Sequence, residues 1–201
     1  LGCATTPGQL SGIPSKSLSK FDQELFTRAI FHQKKGQIKP AIVLWERFLQ
    51  KNPNSFSAKY NLGLLYYAND DVTRAIYFFE QGLKIRPVEV QLKMNLVRAL
   101  KIQSAIFEEN MEYNEAIVDL RKIIRLSPVE EQEAIERQVE ALEDQLFEQV
   151  KKSNTMEEYQ EFLKKYPQSI ENSDEARLWI KNKLQGAKMN NQDTLSSNGS
   201  P

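Results

Sequence analysis

Between Leu62 and Pro87 the chain reads LGLLYYANDDVTRAIYFFEQGLKIRP, two segments of helical apolar period parted by Asn69-Asp70-Asp71. Small residues stand at Gly63, Ala75 and Gly82, and large ones at Leu62, Tyr66 and Phe79 between them. That order fits two antiparallel helices that touch at the small residues and fill the space between with the large ones. A step of 34 residues towards the N-terminus places Ala41 under Ala75, Trp45 under Phe79, Phe48 under Gly82 and Pro53 under Pro87. Ala29 then takes the place of Gly63 and His32 that of Tyr66, while Arg28 under Leu62 and the bulky Phe48 depart from the pattern. One such hairpin cannot bury its apolar face alone, so the repetition predicts a stacked array.

A 34-residue unit with these residue types resembles the tetratricopeptide (TPR) repeat. The resemblance implies an all-α fold, a TPR-type right-handed superhelix of antiparallel helix pairs with a C-terminal capping helix. Repeats are expected at about 20–53, 54–87, 88–128 and 129–167, with the capping helix at 173–185, all within a solenoid over 19–186. Ser19 is expected to cap the first helix, which ends at Gly36, and Asp70 to cap the second helix of repeat two. The third repeat is longer: Pro87 and Pro128 lie 41 residues apart, and the seven extra residues are expected around Ala105 to Glu112. Ser127-Pro128-Val129-Glu130 predicts a capped start for the long helix of repeat four, and Asn154 with Glu157 the start of the helix after it. Ala176, Trp179, Ile180 and Leu184 are the inward residues expected of the capping helix.

Formal net charge is zero, but residues 1–101 hold 15 Lys and Arg against 7 Asp and Glu, and residues 102–201 hold 12 against 20. The halves are thus +8 and −8, which favours an oriented protein partner, or contacts between copies of the chain, over nucleic acid. No run of about 18 apolar residues occurs, so no spanning helix is expected.

A single cysteine, Cys3, excludes an internal disulfide. Its setting, Leu1-Gly2-Cys3-Ala4, resembles the end of a bacterial lipoprotein signal, and residues 1–18, rich in Ser, Gly and Pro, read as a flexible tether. That resemblance implies a lipidated Cys3 and a lipid anchor at the periplasmic face of the outer membrane, because no aspartate follows the cysteine. The segment Phe162-Leu163-Lys164-Lys165-Tyr166-Pro167-Gln168-Ser169 resembles the repeat boundary of TPR-bearing envelope lipoproteins. Residues 187–201 read as a disordered tail.

Catalytic motifs are absent from the sequence: His32 is the only histidine, and no metal spacing, phosphate-binding loop or nucleophile motif occurs. No enzyme activity, cofactor or metal is expected. In TPR folds the first helix of each repeat lines a concave groove. The resemblance therefore assigns to the groove Phe26, Ile30 and Gln33 from repeat one, Tyr60, Leu64 and Tyr67 from repeat two, and Met94, Arg98 and Lys101 from repeat three. Six of these nine are apolar or aromatic, the mark of a surface that binds a partner polypeptide. The pattern lacks the Lys and Asn arrangement of carboxylate-clamping co-chaperones, since Phe26 and Ile30 occupy two of those places. The expected function is a non-catalytic scaffold or assembly factor of the bacterial envelope, similar to pilotin-like lipoproteins or those of outer-membrane protein assembly. The alternative readings are a structural subunit of a large envelope complex and a regulatory subunit of an envelope enzyme.

Overall fold

The computed structural model describes residues 18–197, and the side chains of residues 18–187. Cys3 and the tether expected over residues 1–18 lie outside that range, save for Leu18. Among the described residues the chain is all-helical: α1 (Lys20–Lys34), α2 (Ile38–Lys51), α3 (Phe56–Ala68), α4 (Val72–Ile85), α5 (Val90–Glu109), α6 (Tyr113–Leu126), α7 (Val129–Ser153), α8 (Met156–Lys165) and α9 (Ile170–Ser197). The chain divides into two compact units, residues 1–103 and 104–201, with the division falling inside α5.

In the first unit α1 pairs with α2, and α3 packs against both α2 and α4. Ser19 caps α1 through the Asp22 amide, as expected, and Ser55 caps α3 through the Ala58 amide, so an orphan donor is satisfied at each start. Gly36, at φ 68°, turns the chain into α2 in a left-handed conformation that costs glycine little. Trp45, Phe48, Leu62 and Phe79 are fully buried, with Ala29, Ala41, Ala58 and Ala75 beside them, as the small-and-large order demands. The close approach is tightest at Gly63, where an added Cβ would lie 2.5 Å from Phe79 Cδ1.

The cap of α4 differs by one residue from the sequence expectation. Asp71, not Asp70, accepts the Arg74 amide, and Asp70 instead takes the left-handed turn position at φ 59°. A short polar side chain tolerates that conformation, and the next carboxylate is then the one aimed at the helix end. The seven extra residues of repeat three lie in a helix: α5 has 20 residues where α3 has 13, about two added turns, while the turns following both helices span three residues.

In the second unit α6 packs on α7, α7 on α8 and α8 on α9. Ala116, Ile117, Leu120 and Ile123 of α6 are buried, as are Leu142, Leu146, Phe147 and Val150 of α7. The capping box expected at Ser127 does not form. Pro128 holds the N-cap position, Ser127 ends α6, and its hydroxyl is buried without a partner. Gln132 instead ties α7 to the end of α6, donating to the carbonyls of Ile124 and Ser127 at 3.1 and 3.0 Å. Asn154 likewise ends α7 at φ 56°, and Thr155 caps α8 through the Glu158 amide. The last helix starts at Ile170, three residues before the expected start, and continues past Gly186, well beyond the expected end at residue 185 and into the segment read as tail. Gly186 is tolerated in mid-helix at a propensity cost of only about 1 kcal/mol.

Candidate partner-binding face

All nine residues assigned to the groove lie in the first unit, on α1, α3 and α5. None is fully buried, and Met94, Arg98 and Lys101 are exposed. The others differ in how tightly their neighbours hold them. Phe26 sets its ring edge-on against Trp45 at 5.0 Å and Phe48 at 5.5 Å, so its inner edge belongs to the α1–α2 core. Gln33 joins three helices: its amide nitrogen donates to Asn61 Oδ1 at 2.9 Å, and its oxygen accepts from Trp45 Nε1 at 3.1 Å.

Tyr60 is anchored too. Its ring stacks on Phe56 at 5.8 Å and tilts over Phe79 at 6.4 Å, while its hydroxyl accepts from Asn95 Nδ2 at 3.2 Å. Burial raises the Tyr60 phenol above its ordinary value, an effect the bond from Asn95 partly offsets. Arg98 leans on the same asparagine, 3.5 Å from its Oδ1. Ile30, Leu64 and Tyr67 are half-buried on the same series of helices. The face therefore has a fixed part, formed by Phe26, Gln33 and Tyr60, and a more accessible part formed by Leu64, Tyr67, Met94, Arg98 and Lys101.

The amide cross-links between first helices were missed in the sequence, although a signal exists. Asn61 and Asn95 lie 34 residues apart, and each receives or makes a hydrogen bond to a groove residue of the preceding repeat. A polar residue repeated at one repeat position marks such a ladder, because a half-buried amide needs partners.

His32 sits at the end of α1 with Nδ1 2.5 Å from Gln37 Oε1 and its ring edge-on to Phe31. That contact ties the end of α1 to the turn before α2. In the second unit the buried Glu143 receives Arg121 Nη2 at 2.6 Å and Gln168 Nε2 at 3.0 Å. Arg121 also lies over the Tyr166 ring, whose hydroxyl donates to Asn114 at 2.6 Å. Burial pushes the Tyr166 phenol up to about 12. This network ties α6, α7 and the end of α8 together. Among the described residues no group of three or more His, Cys, Asp or Glu side chains could hold a metal ion, and no helix is long and apolar enough to cross a membrane.

No protein-family model matches the chain, and no curated protein matches it. Solved structures that it resembles include the MamA protein (17% identity, TM-score 0.43, covering 87% of this chain and 96% of that one). Another is the Yersinia enterocolitica type III secretion translocator chaperone SycD (16% identity, TM-score 0.41, 69% of this chain and 90% of that one). A third is the TPR domain of P58(IPK) (11% identity, TM-score 0.46, 80% of this chain and 45% of that one).

Proposed function

We propose that the first unit binds a segment of a partner polypeptide along the face of α1, α3 and α5, and that the protein is a non-catalytic scaffold or assembly factor of the bacterial envelope. The observation that carries the reading is the partial exposure of Ile30, Leu64 and Tyr67 together with Met94, which is 46% exposed, on helices whose packing is already satisfied by other residues. Apolar groups left at a surface in this regular way mark a binding site. Arg98 and Lys101 beside them, in a half of net charge +8, suit a partner segment that mixes apolar and acidic residues.

Lipidation of Cys3, after Leu1-Gly2 and before Ala4, would hold the protein at the periplasmic face of the outer membrane. Stable anchoring takes more than one acyl chain. Mass spectrometry of the protein from its native host is expected to show an acylated Cys3 as the first residue, and Cys3→Ser to release the protein from membranes. An unmodified Cys3 with upstream residues intact overturns the anchor and leaves the groove reading standing.

The opposed charges of the halves favour a second reading, a structural subunit that packs against copies of itself. Sedimentation at low and high salt separates the two. Salt-sensitive self-association supports packing between copies, and a monomer at all salt concentrations supports the scaffold.

A further inference from the structure

The prolines that close the first, second and fourth repeats set a common register for the helix after each. Nine and thirteen residues beyond Pro53 stand Leu62 and Tyr66, beyond Pro87 Leu96 and Leu100, and beyond Pro167 Ala176 and Ile180. Tyr66 and Leu100 are buried, Tyr66 by stacking at 5.5 Å on Phe78 of the helix that follows it. Ile180 occupies the same register on α9, yet it is only partly buried, and Leu184 one turn on is 53% exposed. The α8 side of this surface is Leu163. Together with Arg177, Lys181 and Gln185 these residues line an open cleft of about 410 Å³.

The lining has a definite chemistry. It holds three aliphatic side chains, two cations and one amide, and no carboxylate, in a half of the chain with 20 acidic residues against 12 basic ones. Arg177 is paired with Asp174 of its own helix at 2.7 Å, but both are exposed, and such a pair is worth little and exchanges readily. We propose that this cleft binds an acidic amphipathic helix of a partner protein, which lies beside α9 as α4 lies beside α3 and completes a fifth helical hairpin in trans. The apolar stripe of that helix covers Ile180, Leu184 and Leu163, and its carboxylates meet Arg177 and Lys181. An amphipathic helix docks in a groove through its apolar stripe, and complementary charge selects which helix.

The test uses the full chain and a fluorescein-labelled 14-residue helical peptide. The peptide carries Ala, Ile, Phe and Gly at the spacing of Ala75, Ile76, Phe79 and Gly82, four glutamates flanking that stripe, alanine elsewhere, and a hydrocarbon staple on the outer face that holds it helical. Fluorescence anisotropy is expected to show saturable binding. Leu184→Asp should weaken it about tenfold or more, as loss of a central apolar contact does. The charge swap Arg177→Glu with Lys181→Glu should transfer preference to the same peptide with lysines in place of glutamates. Both sites are on the surface, and unchanged helical circular dichroism confirms that the variants fold. No binding of the glutamate peptide, or binding indifferent to Leu184→Asp and to the charge swap, overturns the proposal. Self-association of the parent that Leu184→Asp abolishes also overturns it, by making a second copy the occupant. Tyr67→Ala in the first unit should leave this binding unchanged, so the outcome is independent of the groove reading.

Discussion

Replacing Gly63 with alanine adds one methyl group at the tightest point between α3 and α4. Alanine gains about 1 kcal/mol of helix propensity over glycine, so on backbone grounds alone the change would stabilise the protein. Packing opposes it. The new Cβ would stand 2.5 Å from Phe79 Cδ1, roughly 1 Å inside ordinary carbon–carbon contact. Phe79 is fully buried and lies against Tyr60, so its ring cannot swing clear without displacing α3 or the tyrosine. Overpacking of this kind costs about 1–3 kcal/mol, which exceeds or cancels the propensity gain and leaves a net destabilisation of up to about 2 kcal/mol. Gly82 and Gly186 provide the controls. At Gly82 the added Cβ meets the flexible end of Leu92 at 2.9 Å, so the two effects nearly cancel. At Gly186 it meets nothing within 4 Å, and Gly186→Ala should stabilise α9 by up to about 1 kcal/mol. Urea denaturation of the first unit can be followed by Trp45, buried and bonded to Gln33, in a Trp179→Phe background. Circular dichroism follows the Gly186 variant. The order Gly63→Ala least stable, Gly82→Ala near the parent and Gly186→Ala most stable is expected; a Gly63→Ala protein more stable than its parent refutes the close-packing argument.

Other perturbations have equally definite outcomes. Asp71→Ala should cost about 1 kcal/mol by removing the α4 cap, while Asp70→Gly should be neutral or slightly stabilising because glycine relieves the left-handed turn; denaturation midpoints of the two variants check the order. Arg121→Ala leaves Glu143 buried without its cation and should cost about 2–3 kcal/mol, less than for a fully buried pair because Arg121 is one-third exposed, whereas Arg137→Ala at an exposed pair should cost under about 0.5 kcal/mol in the same assay. Tyr166 favours the neutral phenol in the fold, where it titrates near 12 against 10.0 for an ordinary tyrosine, so its stabilisation is complete below pH 10 and is lost as pH rises from 10 through 12. Alkaline titration by ultraviolet absorbance should therefore show a late-ionising tyrosine that Tyr166→Phe removes.

The hairpins were legible because close packing writes itself as small residues at fixed spacing: Ala29, Ala41 and Ala75 are all fully buried where the 34-residue register puts them. Helix ends were less legible. At Asp70-Asp71 and Asn154-Thr155 two adjacent residues can both cap, and the choice depends on which takes the turn conformation, which the order of residue types does not decide; at Ser127-Pro128 the proline takes the N-cap position with no side-chain bond. The series of positions on α1, α3 and α5 follows from the repeat spacing, but which of these side chains are held by neighbours and which stay accessible does not. Tyr60 and Gln33 are held by Asn95 and Asn61, partners 35 and 28 residues away, and only the stacking of repeats brings them together.

Site-specific photocrosslinking tests the central claim most directly. A benzophenone amino acid is placed at Leu64, Tyr67 or Met94 of the full chain in its native host, and, as controls, at Val43 or Tyr77, exposed on the second helices α2 and α4. A discrete protein adduct from the first three positions and none from the controls is the predicted result. Equal crosslinking from both sets, or none from the groove positions, contradicts the assignment of this face to a partner polypeptide.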